Sequence, residues 1–170
     1  PTNDVCGFDA ARKLAILSPI GFRANVTFDD VLVEGIEKID KSDIQYAKDM
    51  GYTIKLLTVA LRQENGIALN VYPAFLPDNH PLSSVKGAYN AIYVTGNIVD
   101  DVMFYGRGAG ALPTASAVMG DVISTAQHIL NGSTGTGMIM TDTKRIPFYS
   151  SLKPVSYTHL RAHETNANLV

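Results

Sequence analysis

An aspartate and a lysine near the amino end of the chain are the residues whose types and spacing could do chemistry. Asp9 and Lys13 stand four positions apart in a segment with helical periodicity, so both side chains project from one face of a helix. A lysine in such a place can exchange a proton with a substrate hydroxyl. The same spacing also occurs in exposed ion pairs that stabilise a helix by only ~0.3–0.5 kcal/mol. Spacing alone favours the ion pair, and the catalytic hypothesis needs support from elsewhere in the sequence.

A second pattern is the glycine-rich segment Gly106-Arg107-Gly108-Ala109-Gly110, between an expected strand and the longest expected helix. Glycines at such a turn let the backbone approach a phosphate or a nicotinamide, and a helix N-terminus favours negative charge. The segment resembles a dinucleotide-binding fingerprint only loosely, because its last glycine comes one residue early and the next strand, at 138–140, would be very short. We therefore reject a complete Rossmann unit. For Gly106 and Gly108, close packing of the strand against the helix is an equal alternative.

The histidines and tyrosines suggest structural roles. His80 lies in an expected loop, and no second His or Cys stands at metal-ligand spacing, so we predict no metal site. Tyr89, Tyr93 and Tyr105 are interpreted as sheet packing, with a subunit interface as a further option.

The periodicity of the chain predicts the elements that position these residues. We expect a first helix from Phe8 to Ile20, a second at 43–50 capped by Ser42, a short helix around Ser83 to Lys86, and a last one from Leu112 to Leu130. Strands are expected at Tyr52 to Arg62, Ile67 to Leu76, Tyr89 to Thr95 and Ile98 to Tyr105, with turns at Gln63 to Gly66 and Gly96-Asn97. This order predicts an α+β fold, with a mainly antiparallel or mixed sheet covered by helices on one face.

Composition limits the class of protein. The 170 residues are 46% hydrophobic and 18% charged with a formal net charge of −2, and no basic run suggests binding to nucleic acid or to a membrane surface. No apolar stretch approaches the ~20 residues of a membrane span, and the single cysteine, Cys6, cannot form an internal disulfide. We expect a cytoplasmic protein.

The amino-terminal run from Pro1 to Lys13 resembles the signature of homoserine dehydrogenases. The fixed positions of that signature are a proline, an aspartate, an aliphatic residue, a glycine, a second aspartate and a lysine, matched here by Pro1, Asp4, Val5, Gly7, Asp9 and Lys13. The likeness continues through Glu34-Gly35-Ile36, Gly51-Tyr52, His80-Pro81-Leu82 and the glycine segment. It covers about residues 1–130.

The resemblance implies an activity and roles for particular residues. The family interconverts L-homoserine and L-aspartate 4-semialdehyde with NADP or NAD, in the biosynthesis of threonine, methionine and isoleucine. Lys13 resembles the catalytic lysine, Asp9 would orient it and bind substrate, and Asp4 would bind substrate near its ammonium group. Gly110, and next to it Gly108, would lie against the cofactor.

The resemblance also implies a division of the chain. Residues 1–130 would form the catalytic and dimerisation domain of a homodimer, 131–153 a linker-like segment, and 154–170 a non-native or disordered tail. The nucleotide-binding domain, which holds most of the cofactor, would precede Pro1, so we expect the chain to be inactive alone. The competing hypothesis is a non-catalytic homodimerisation module.

Overall fold

The computed structural model describes residues 2–63 and 66–134, which divide into two compact units between Ser83 and Ser84. The first contains α1 (Thr2–Val5), α2 (Phe8–Phe22), a 3-10 turn (Phe28–Asp30), β1 (Leu32–Val33), α3 (Lys41–Asp49), β2 (Tyr52–Gln63) and β3 (Gly66–Pro77). A second 3-10 turn (Pro81–Ser84) spans the division, and the second unit contains β4 (Tyr89–Gly96), β5 (Asp100–Arg107) and α4 (Ala111–Leu130).

The first unit is built on a mixed three-stranded sheet in the order β1-β3-β2. β2 and β3 are antiparallel from the Tyr52–Pro77 pair to the Gln63–Gly66 pair, which confirms the expected hairpin. β1 runs parallel to β3, with Leu32 opposite Asn70. The central position of β3 explains why its residues from 66 to 71 are all buried, whereas the edge strand β2 is only half-buried.

The core of the first unit lies between α2 and one face of this sheet. Alternate residues of β3 point to the same face, and Ile67, Leu69 and Val71 pack there with Ala11 and Leu14 of α2. Burying each of the larger aliphatic side chains contributes roughly 1.5–3 kcal/mol. The helix is therefore held by the face that carries Ala11 and Leu14, and its opposite face is turned away from the sheet.

The capping residue of α3 differs from the sequence prediction. The helix begins at Lys41 rather than 43, and its cap is Asp40, not Ser42. The Asp40 carboxylate accepts hydrogen bonds from the backbone N–H groups of Ser42 at 2.7 Å and Asp43 at 3.1 Å, while Asp43 accepts from the Asp40 N–H at 3.0 Å. A carboxylate accepts such bonds more strongly than a hydroxyl and favours the positive end of the helix. Asp40, and not Ser42, is therefore the N-cap residue of α3.

The second unit contains the antiparallel hairpin β4–β5 and the long helix α4. The hairpin pairs Tyr89 with Arg107 and Gly96 with Asp100, so β5 begins at Asp100 rather than at Ile98 as expected. The turn therefore includes Ile98 and Val99, which were expected in the strand, and Asp100 at its end has a positive φ of 53°. α4 begins one residue before the expected start and ends at Leu130 as expected, followed by Gly132 at φ 64°.

The short helix expected around Ser83 to Lys86 lies two residues earlier and is a 3-10 helix. The chain forms the 3-10 turn Pro81–Ser84, because the Ser83 hydroxyl donates to the carbonyl oxygens of Asp78 and His80 and the Leu82 N–H donates to the His80 ring. Local side-chain bonds of this kind compete with a continuing helix. α1 was not foreseen at all. The α+β class is confirmed, while the possible strand at 138–140 and the tail lie outside the described residues.

Candidate active site

The start of α2 is fixed by an elbow at Gly7, which joins α1 to α2. Gly7 has φ 77°, a conformation that other residues rarely adopt. A Cβ atom there would lie 3.0 Å from Val71 Cγ1 and 3.2 Å from Val33 Cγ1. Just before the elbow, the Val5 carbonyl oxygen accepts a hydrogen bond from the Ile36 N–H at 2.9 Å. The backbone before α2 is thus pressed on the sheet, which sets the direction in which the first turn of α2 points.

The two residues expected to do acid–base chemistry are in contact across the first two turns of α2. Lys13 Nζ lies 2.7 Å from Asp9 Oδ2, and the side chains are 64% and 45% exposed, respectively. Both face away from the sheet, because the buried residues of α2, Ala11, Leu14 and Ser18, occupy its other side. The contact gives the ammonium group a fixed carboxylate neighbour and leaves it accessible to a substrate.

Asp4, the third acidic position expected in the site, lies on α1 and is exposed. Among the described residues its side chain has no hydrogen bond or ion pair with Asp9 or Lys13. The structure therefore brings together Asp9 and Lys13, while Asp4 lies across the Gly7 elbow from them.

The contact between Cys6 and Glu37, beside the elbow, was not foreseen from the sequence. The thiol donates a hydrogen bond to the Glu37 carboxylate, which raises the pKa of Cys6, and partial burial and the negative charge raise it further. The same bond lowers the pKa of Glu37. The thiol is therefore held in its protonated form at neutral pH, which argues against Cys6 as a nucleophile. The two residues are far apart in sequence, so no local pattern signals the contact.

The glycine segment of the second unit separates into positions with different roles. Gly108 donates a backbone hydrogen bond to Ala88 at 3.0 Å, and a Cβ on it would overlap the Asn90 side chain. The close contact of Gly108 is therefore with β4, whereas the packing alternative expected contact with the helix. Gly106 has no atom within 4 Å of the position of a Cβ, so steric packing does not explain that glycine.

Gly110 has the geometry that suits approach by an anionic or planar ligand. It adopts φ 127° at the N-cap of α4, where no side chain caps the helix and the first turn carries no acidic residue. The first N–H groups of a helix lack intrahelical partners. The cofactor contact expected at Gly110 stays a prediction, and a Cβ at this position would lie 3.4 Å from Pro113 Cδ.

The tyrosines of the hairpin form contacts on one of its faces. Tyr89 and Tyr105 stack with their ring centroids 4.9 Å apart, and the Arg107 guanidinium lies 5.0 Å from the Tyr89 centroid. Asp101 accepts a hydrogen bond from the Tyr93 hydroxyl, which raises the pKa of Tyr93. These contacts agree with the interpretation of the tyrosines as sheet packing.

In the part of the chain that the structure describes, no group of three or more His, Cys, Asp or Glu side chains could hold a metal ion. Within the same residues, no helix is long and apolar enough to cross a membrane.

Comparisons with known proteins identify the family. The family model described as homoserine dehydrogenase matches residues 1–123. Homoserine dehydrogenase of Bacillus subtilis is 47% identical over 139 residues, covering 82% of this chain and 32% of that protein, and the Corynebacterium glutamicum enzyme is 46% identical over 142 residues, with 81% and 32% covered. The chain thus belongs to the homoserine dehydrogenase family of oxidoreductases. It spans about a third of the length of these curated relatives.

Solved structures give the same family. The crystal structure of a homoserine dehydrogenase from Thiobacillus denitrificans superposes with a TM-score of 0.82 at 38% identity, covering 88% of this chain and 36% of that one. A hyperthermophilic archaeal homoserine dehydrogenase mutant in complex with NADPH has a TM-score of 0.57 at 27% identity, with 75% and 35% covered.

Proposed function

We propose that this chain supplies the substrate-side acid–base groups of an enzyme that interconverts L-homoserine and L-aspartate 4-semialdehyde. The observation that carries the proposal is the 2.7 Å contact of Lys13 with Asp9 on α2, within the segment that the family model matches. The biosynthesis of threonine, methionine and isoleucine is the corresponding metabolic role, and the cytoplasm the corresponding compartment.

Lys13, Asp9 and Asp4 have different proposed roles in proton transfer and substrate binding. When the aldehyde is reduced, its oxygen gains negative charge, and Lys13 donates the proton that converts it to the hydroxyl of homoserine; in reverse, Lys13 accepts that proton. Asp9 holds the Lys13 ammonium in position and accepts a hydrogen bond from the substrate. Asp4 binds the substrate ammonium by charge attraction.

The cofactor of the proposed reaction is NADP or NAD, and its nicotinamide supplies or takes up the hydride. Gly110 is the proposed position beside it, because this N-cap has no side chain of its own and no side chain makes a capping hydrogen bond there. Gly108 has no room for a side chain beside Asn90, so its proposed role is to support the turn that leads to Gly110. We expect most contacts to the cofactor to come from outside this chain, so we expect the chain to be inactive alone.

The proposed assembly is a homodimer formed by residues 1–130, with 131–153 as a linker and 154–170 outside the evolved domain. A non-catalytic homodimerisation module is the second candidate. It is favoured by one face of the β4–β5 hairpin, where Ile92, Val94 and Phe104 are 46%, 44% and 63% exposed. Such a face is typical of an interaction surface.

A complete enzyme distinguishes the two candidates. We define the Bacillus chimera as the Bacillus subtilis homoserine dehydrogenase in which the segment similar to this chain is replaced by this chain. We expect oxidation of NADPH that depends on aspartate 4-semialdehyde, and none by the 170-residue chain alone. A folded chimera without this activity would refute the catalytic proposal and favour the non-catalytic homodimerisation module.

A further inference from the structure

A short loop is fitted onto the backbone just before the helix that carries the acid–base pair. It comprises residues 34–37, directly after β1, and we call it the elbow loop. Its Ile36 N–H donates to the Val5 carbonyl oxygen at 2.9 Å. Gly35 leaves no room for a side chain, because a Cβ there would overlap the Val5 carbonyl oxygen and the Cys6 Cα.

The elbow loop is itself anchored to the sheet. The Glu34 N–H donates to the Val71 carbonyl oxygen at 2.8 Å, which continues the parallel pairing of β1 with β3. Val71 is buried in the core of the first unit. A loop held by a core strand is a firm support, because core strands open least often.

Side chains make a further contact between the elbow loop and the elbow. The Cys6 thiol donates a hydrogen bond to the Glu37 carboxylate. This carboxylate lies over Gly35, where a Cβ would overlap Glu37 Oε2. Glu37 is exposed and Cys6 is half-buried, so the apolar core of the first unit does not explain the contact.

The contact bears on Asp4, which stands two residues before Cys6. Asp4 lies on α1, a helix of four residues, and isolated helices of this length are not stable. The Cys6 N–H donates to the Thr2 carbonyl oxygen at 2.9 Å, and the Gly7 N–H donates to the Asp4 carbonyl oxygen at 3.2 Å. A bond that holds Cys6 therefore also holds the single turn that carries Asp4.

The proposed substrate gives this arrangement a use. Homoserine carries an ammonium group at one end and the reacting oxygen at the other, so the groups that bind them must stand at a fixed separation. Displacement of the group that binds the ammonium would weaken substrate binding, while proton transfer at the other end would keep its donor.

We propose that Glu37 is a positioning residue for the substrate ammonium, because it holds Cys6 and thereby fixes Asp4 relative to Lys13. Glu37 acts through these residues and does not touch the reacting atoms. The inference rests on the proposed function, which assigns the ammonium group to Asp4.

Removal of the thiol tests the contact without changing a charge. In the Bacillus chimera we expect Cys6→Ala to raise the KM for homoserine by ~3–10-fold, as the loss of one hydrogen bond would. We expect kcat to change by less than about twofold, because Lys13 keeps its contact with Asp9. Cys6→Ser retains a donor and should restore the KM of the parent.

Two variants of the acceptor separate the hydrogen bond from the charge. Glu37→Ala should raise KM as Cys6→Ala does, and the double variant should raise it no further, because the two residues share one bond. Glu37→Gln retains an oxygen that accepts the thiol proton and should stay near the parent KM. An equal rise in Glu37→Gln and Glu37→Ala would show that the charge attracts the ammonium directly, and would overturn the inference.

An Asp4→Asn background tests whether the contact acts through Asp4. Asp4→Asn should itself raise the KM for homoserine, and Cys6→Ala should then add no further rise, because the carboxylate that it positions is already gone. A further rise of the same size would show that the contact acts by another route and would also overturn the inference.

Amide hydrogen exchange of the same variants measures the brace without turnover. Peptides covering residues 2–7 should exchange ~3–10-fold faster in Cys6→Ala than in the parent chimera, whereas those from α3 should exchange at the parent rate. Unchanged exchange at 2–7, or an unchanged KM, would overturn the inference. A folded parent chimera without activity would refute the proposed function instead, and exchange would still decide whether Glu37 holds the elbow.

Discussion

The Lys13–Asp9 contact joins two side chains that are about half exposed or more. An exposed pair of this kind contributes only ~0.3–0.5 kcal/mol to stability. Its removal should thus leave the fold intact, and any large effect on turnover can be assigned to chemistry.

We expect Lys13→Ala in the Bacillus chimera to lower turnover by roughly 100-fold or more, because the developing alkoxide loses its proton donor. The thermal midpoint should remain that of the parent. Lys48→Ala removes a lysine from the exposed surface of α3 and serves as the control. Turnover by Lys13→Ala close to that of the parent would remove Lys13 from its proposed role.

At the scale of elements, the Asp40 cap links the stability of α3 to pH. The pKa of Asp40 lies below its ordinary value of 3.8, because the Ser42 hydroxyl and then the backbone N–H groups of Asp43 and Ser42 donate hydrogen bonds to the carboxylate. A lowered pKa contributes stability that is present above the unfolded value and is lost as the pH falls through the folded value.

We therefore expect Asp40→Ala to lower the urea midpoint of the chain near neutral pH, and the gap from the parent to shrink as the pH falls below 3.8. Urea titrations at a series of pH values measure this gap. The control is Asp29→Ala, at an exposed position. A gap that is independent of pH would show that the charge of Asp40 does not stabilise the cap.

The Gly7 elbow makes a second prediction for an element. Gly7→Ala forces a side chain into a left-handed conformation, at ~1 kcal/mol, and presses its methyl group on Val71 and Val33, at a further ~1–3 kcal/mol. Gly51 has the same φ of 77° but no atom within 4 Å of a Cβ, so Gly51→Ala isolates the backbone cost. Chemical denaturation should show the larger loss for Gly7→Ala; equal losses would mean that the elbow does not pack tightly on the sheet.

The sequence predicted elements whose signals are local. The hairpin of β2 with β3 and the long α4 were evident because periodicity and turn residues act over neighbouring positions. The parallel pairing of Leu32 with Asn70 had no such signal, since β1 has only two residues and its partner lies far along the chain. The cap of α3 was assigned wrongly because Asp40 and Ser42 both favour that place, and only geometry decides between them.

In the candidate site, too, the contact between neighbouring residues was predictable and the contact between distant residues was not. The spacing of Asp9 and Lys13 already required that they share a face of α2, so their contact follows from the helix. The contact of Cys6 with Glu37 depends on how the segment around Gly35 packs on the elbow, where a Cβ would overlap the Val5 and Cys6 backbone. Such packing between distant segments leaves no trace in local spacing.

At the scale of the whole molecule, the share of the relatives that the chain spans predicts how it binds cofactor. It covers 32% of the Bacillus subtilis protein, and its proposed cofactor contact is at Gly110, with Gly108 supporting the turn beside it. Fluorescence titration with NADPH should therefore show no submicromolar binding by the 170-residue chain, whereas the Bacillus chimera should bind it. Tight binding by the chain alone would contradict this view.

The sheet of the first unit implies an order of folding. β2 and β3 can pair from Gln63 and Gly66 outward, which requires closing only a short loop, whereas β1 must find β3 across the long interval from Leu32 to Asn70. Short closures cost less chain entropy and form sooner. The hairpin should then be the nucleus on which α2 settles, so that Lys13 and Asp9 meet within their own helix early but acquire their final direction only when Ala11 and Leu14 reach the sheet.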